Sequence, residues 1–215
     1  MISSFIKEKF VNKEMAIIAV VLSIIAAFTM LAGIGFIFQI ISSILTFIVL
    51  YQWSQAIKTN IQNTQMILGH IRENIQDASK KNAIMALESR LKTIEIYDWA
   101  FWVYLICAIV GYINWYVFFI NLIGFVFLAI YLQNLFQACK KLQEAKNKVY
   151  QYVSSKFILS GEIIKDRNIG MFILLAIVTI GIYWYYILIK MSYEINEFLQ
   201  WDIDARERVI SEFKQ

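Results

Sequence analysis

Three long stretches of this chain, residues 15–53, 99–134 and 169–189, contain no Asp, Glu, Lys, Arg or His. That absence constrains the fold more than any motif does. The first stretch holds two apolar runs, 15–32 and 34–53, separated by the glycine turn Leu31-Ala32-Gly33-Ile34-Gly35. The second holds runs 97–113 and 115–134, if Tyr97 and Asp98 are counted as the entry to the first of them, and the third holds 169–189. A bilayer crossing takes about 20 apolar residues, so all five runs are candidate spans. The whole chain is 60% hydrophobic, 17% charged and free of proline, whereas a soluble domain carries about 25% charged residues. The sequence therefore predicts an all-α, polytopic helical membrane protein of five transmembrane helices: two helical hairpins and one single span.

The first run follows a basic N-terminal segment, as the apolar part of a signal sequence does. It is longer than such a region usually is, and a second run follows at once, so it reads as an uncleaved first helix.

Charge distribution orients the spans. Residues 54–98 hold six Lys or Arg against five acids, and residues 136–168 hold seven against three. The turns near 33 and 114 carry no charge. This places the N-terminus and the two long connections in the cytoplasm of a cell-membrane protein. A single fifth span then carries the tail, 191–215, with its excess of acids, to the opposite side. Tyr51, Trp53, Tyr97, Trp99 and Tyr131 mark one interface, and Tyr112, Trp115 and Tyr116 the other, where amphipathic rings favour the head-group level.

The connections 54–96 and 135–160 read as helical stalks. Ile61, Thr64, Leu68, Ile71, Ile75 and Ala78 recur at 4-3-4-3 spacing. The register breaks at 79–83 and resumes as Ile84, Leu87, Leu91 and Ile94. Leu135, Cys139, Leu142, Lys146, Val149 and Val153 form a second coiled-coil-like seam. The segments 47–58 and 127–140 share Phe, three apolar residues, Tyr and a later Gln-Ala-x-Lys, which suggests either a duplicated hairpin-plus-stalk unit or chance likeness between apolar segments.

Chemistry within a membrane needs ionisable or nucleophilic groups, and these are conspicuous there. The spans hold no internal Asp, Glu, Lys, Arg or His, His70 is the sole histidine, and Cys107 and Cys139 lack metal-ligand spacing. The expectation is a protein that is not an enzyme, with no catalytic residues, no cofactor and no metal. Nucleic acid is not an expected partner. The lipid bilayer and other membrane subunits, or further copies of the chain, are. Uncharged polar residues do occur in the spans. Gln39, Ser42, Ser43 and Thr46 share one face of the second span at i, i+3, i+4 and i+7, and suit either a packing seam or the lining of an oligomeric pore.

Residues 170–200 carry the most distinctive wording, with Thr179, Gly181, Ile182, Tyr183, Tyr186 and Lys190 in an apolar-aromatic setting that ends near Glu194-Ile195-Asn196. This pattern resembles an uncharacterised integral-membrane domain found in many bacterial and archaeal proteins, marked by Thr-x-Gly-Ile-Tyr, aromatics and a basic residue. The resemblance implies a membrane location and no particular reaction. Read as one helix, Thr179, Tyr183, Tyr186 and Lys190 share a face, with Lys190 able to pair with Glu194 or Glu197. That face is either a packing and anchoring surface or a docking face for another subunit or a lipid head group. Together these readings make the chain a non-catalytic, structural or accessory subunit of a membrane assembly, or alternatively a small oligomeric channel or transporter.

Overall fold

The computed structural model describes residues 5–113, 118–153 and 162–212. Within them are seven α-helices and no strand. A short helix, α1 (Lys13–Thr29), is followed by the 3-10 turn Met30–Ala32 and the 40-residue α2 (Gly35–Asn74). Then come α3 (Ala78–Lys92), α4 (Asp98–Ile113), α5 (Phe118–Val153), α6 (Ile169–Val178) and α7 (Ile182–Glu212).

The order resolves into three similar units. In each, a non-helical segment leads into a short apolar helix, the chain turns, and a longer helix runs back beyond the start of the first. The pairs are α1–α2, α4–α5 and α6–α7. With no internal proline, α2 and α5 pass from an apolar half into a polar half without interruption. Two helices, Gly35–Asn74 and Phe119–Gln151, are long and apolar enough to cross a membrane.

Exposure divides the molecule sharply. Exposed large apolar side chains lie almost entirely on residues 17–51, 99–126 and 171–186, from Ile17 to Tyr51, Trp99 to Val126 and Met171 to Tyr186. None of these ranges contains a charged residue. The tips are the barest parts: Leu31 and Ile180 are 102% and 93% exposed. At the other end the long helices converge on a core built around Trp53, Leu68, Leu132, Leu142, Ile195 and Phe198. Trp53 donates through Nε1 to Ser192 Oγ at 2.9 Å, tying α2 to α7, and Tyr131 donates to the carbonyl of Leu50 at 2.6 Å, tying α5 to α2.

Several expectations need correcting. The uninterrupted helix over 169–189 is two helices, broken at Thr179–Gly181. Ile180 and Gly181 both take the left-handed conformation (φ 51° and 86°), which an α-helix cannot continue. The chain therefore reverses, and α7 returns beside α1 and α2. Asn196 holds the backbone of Val11 from both sides, its Oδ1 accepting at 2.8 Å and its Nδ2 donating at 2.8 Å. The tail thus lies beside the N-terminal segment and not at the opposite end of the molecule. The break in the first stalk falls at residues 75–77, before 79–83, because Asp77 caps α3 by accepting from the amides of Ser79 and Lys80. The second stalk is helical to Val153, and its remainder to 160 lies outside the described residues, as do the residues near the turn between α4 and α5.

Candidate functional site

The polar half contains a buried ionic cluster that draws on four segments. Asp202 of α7 is at its centre. Its Oδ1 accepts from Lys146 Nζ of α5 and from Tyr150 Oη at 2.6 Å, and its Oδ2 accepts from Asn60 Nδ2 of α2 at 2.7 Å. Arg206, one turn on, pairs with Asp202 at 3.0 Å and reaches Glu8 of the N-terminal segment. Glu8 also accepts from Asn63 Nδ2 at 2.8 Å. Lys146 and Asp202 have no exposed side-chain surface at all.

Two carboxylates, an ammonium and a guanidinium cancel in charge, as burial requires, because an unpaired ion in a low-dielectric interior costs several kcal/mol. Burial lowers the Lys146 pKa to about 8, with Asp202 opposing the shift and Arg206 adding to it. For Asp202, burial pushes upward, but the charges of Lys146 and Arg206 and the hydrogen bonds from Lys146 and Tyr150 outweigh it, so the carboxyl sits below its ordinary range. Such a site holds helices in register.

A second buried pair lies nearby. Arg167 meets Glu194 at 2.8 Å, so Glu194 is taken by a residue outside its own helix and does not serve Lys190. Cys139 is packed within the same core, and burial pushes its thiol up to about 12, which keeps it protonated and inert.

The turn between α6 and α7 accounts for the wording of its own sequence. Thr179 Oγ1 donates to the Leu175 carbonyl at 2.7 Å and accepts from the Tyr183 amide at 2.9 Å, closing one helix and starting the next. Gly181 supplies a left-handed φ, with its amide bonded to the Ala176 carbonyl at 2.7 Å. Tyr183 stacks on Tyr186 with ring centres 5.8 Å apart and also meets Phe172 of α6 at 6.0 Å.

The proposed docking face is therefore divided. Thr179 belongs to the turn and Tyr183 to the hairpin interior, while Tyr186 stays exposed and Lys190 half-exposed on α7. Next along that outer face, Tyr193 lies beneath the Lys13 ammonium at 4.9 Å.

The polar face of α2 is divided as well. Ser42 turns toward α1, donating to the Ala19 carbonyl and sharing a hydrogen bond with Ser23, each at 2.7 Å. Gln39 and Ser43 instead line an open cleft of about 400 Å³ that also involves Tyr104, Asn121 and Gly124 from the α4–α5 hairpin. Thr46 is half-buried near these residues on the same helix. Gly111 lies close against Asn121 beside this cleft: a Cβ there would come within 2.1 Å of Asn121 Oδ1, so the carboxamide would have to turn aside.

Sequence reasoning missed a set of carboxamides that grip non-helical backbone. Asn63 accepts from the Ile6 amide and donates to its carbonyl, at 2.9 and 2.8 Å. Asn134 does the same across Glu95 and Tyr97. Gln143 accepts from Ile163 and Ile164 and donates to the Ile164 carbonyl. With Asn196, these four amides hold all three segments that lead into the short helices. Their partners are main-chain atoms, so no side-chain pattern announces them.

Residues 167–210 match a domain of unknown function, DUF4234. The DUF4234 match begins at Arg167, covers the α6–α7 hairpin with Thr179 to Gly181, and extends through Glu194, Asn196, Asp202 and Arg206. It thus takes in the α7 half of the ionic cluster, while Glu8, Asn60 and Lys146 come from outside it. Searches of curated proteins and of solved structures gave no match.

Proposed function

We propose that this chain is a non-catalytic integral membrane protein serving as a structural or accessory subunit of a membrane assembly. The observation that carries the reading is the separation of surfaces: three uncharged hairpins present apolar side chains outward, and the ion pairs gather at the opposite end. Water would not tolerate so much contiguous apolar surface, and lipid would cover it.

In this reading the hairpins enter from one face of the bilayer and both chain ends remain on that face, the cytoplasmic one by the basic bias of the connections. Ten residues of α6 rise about 15 Å, half of a hydrocarbon core about 30 Å thick. The third hairpin is then re-entrant. α1 and α4, of 17 and 16 residues, come close to a full crossing. The assembly role rests on the ionic cluster being rigid and closed, since such a base suits a scaffold better than a reaction centre.

The open cleft at Gln39, Ser43 and Asn121 favours a second reading, a small oligomeric channel or transporter, because uncharged polar side chains lining an opening between two hairpins suit a water-filled path. Native mass spectrometry from mild detergent tests both. Foreign subunits retained in fixed ratio support the accessory role, and a symmetric homo-oligomer with ion flux abolished by Q39L/S43L supports the channel. Release of the chain from membranes by alkaline carbonate would sink both.

A further inference from the structure

Three cations line a single concavity between α3 and α5. Arg90, in the last turn of α3, and Lys141 and Lys148, seven residues apart on α5, line a cleft of about 190 Å³. None of the three forms an ion pair with a described residue, although Arg72, Lys140 and Lys146 close by each have a carboxylate. Glu144 is the one acid in the lining, leaving an excess of positive charge over an apolar floor that includes Leu87 and Ala145.

Like charges facing one another across a concave, partly apolar wall repel, and the field they focus is relieved by an anion between them. A guanidinium offers a planar fork of donors and the two ammonium groups add point charges, a set that suits the tetrahedral, multiply charged oxygens of phosphate better than a lone carboxylate. We propose that the α3–α5 cleft binds a phosphate-bearing, multiply charged anion. The cleft's upper wall, at Thr93 and Ile94, leads within a few residues into Tyr97 and Trp99. Either a soluble phosphorylated compound or the head group of an anionic lipid therefore has access to it.

Inorganic pyrophosphate is the first probe, added to the detergent-purified full chain at constant ionic strength. A saturable rise in melting temperature is expected, with affinity falling about tenfold for each lysine removed in K141Q and K148Q and largely restored in K141R/K148R. Both lysines are exposed, so these variants keep the fold, which circular dichroism checks. Nanodiscs of phosphatidylcholine with or without phosphatidic acid separate the sources: competition by phosphatidic acid against pyrophosphate marks a lipid ligand, and its absence marks a soluble one. The proposal is overturned if neither probe binds saturably, or if K80Q/K81Q at the far end of α3 weakens binding as much as K141Q/K148Q does.

Discussion

Glu8 and Arg206, 198 positions apart in sequence, form a buried ion pair that fastens the start of the chain to the end of α7. Removing one member unbalances the buried charge, which costs up to about 3–5 kcal/mol in buried pairs, although Arg206 keeps Asp202 and Glu8 keeps Asn63. E8Q and R206M are each expected to lower stability by that order in detergent, with a double variant that recovers part of the loss. Additive losses in the double variant would show that the two side chains do not interact.

The cluster also sets a pH dependence. Asp202 has a folded pKa below its ordinary 3.8, so its contribution is present above about pH 4 and is lost as pH falls through the folded value. Lys146 works with the opposite sign. Its pKa of about 8 lies below the unfolded 10.5, so between these values the unfolded chain holds more protons and this group's term raises stability with pH. Melting curves of wild type and K146M across that window are expected to differ in slope, the variant lacking the rise. Parallel slopes would show that the ammonium is not buried.

At the α6–α7 turn, G181A places a Cβ on a left-handed residue and is expected to cost about 1–2 kcal/mol. T179A removes the oxygen that accepts from the Tyr183 amide, a loss of about 1 kcal/mol typical of helix N-caps. I180G relieves a β-branched residue from φ 51° and is expected to be neutral or stabilising. Thermal unfolding in the same detergent ranks the three. A continuous helix across residues 169–189 would reverse the order, since glycine would then harm and alanine help.

The proposed entry of all three hairpins from one face of the bilayer has its own test. Cysteines placed singly at Lys9 and Glu207, both exposed, in a background lacking Cys107 and Cys139, are expected to react with an impermeant thiol reagent from one side only, and from the same side. Labelling of position 207 from the other side would restore a fifth crossing.

Much of this architecture was legible in the apolar spacing. Ile61, Thr64, Leu68 and Ile71 are buried as their 4-3-4 series requires, but Ile75 is half-buried and Ala78 exposed where α2 gives way to α3; Ile84, Leu87 and Leu91 are buried and Ile94 half-buried. Lys146 is the instructive member: its place in the second seam puts a charge inside, and the structure supplies Asp202 to meet it. What could not be read was the reversal at residues 179–181. An apolar run with a β-branched residue in a left-handed turn looks like unbroken helix, and one glycine beside a threonine is equally consistent with close helix packing. The face through Thr179, Tyr183, Tyr186 and Lys190 was drawn on that assumption, so it came apart when the helix did.

The four carboxamide grips have a consequence for how such a chain can change. Asn63, Asn134, Gln143 and Asn196 each recognise peptide groups, which every residue but proline presents alike. The connecting segments can therefore drift in composition while staying anchored, provided that each grip retains one donor and one acceptor. Asparagine to aspartate, the smallest chemical step available, removes the donor and sets a charge against a carbonyl. Tolerance is thus lodged in the strands being held, and intolerance in the hands that hold them.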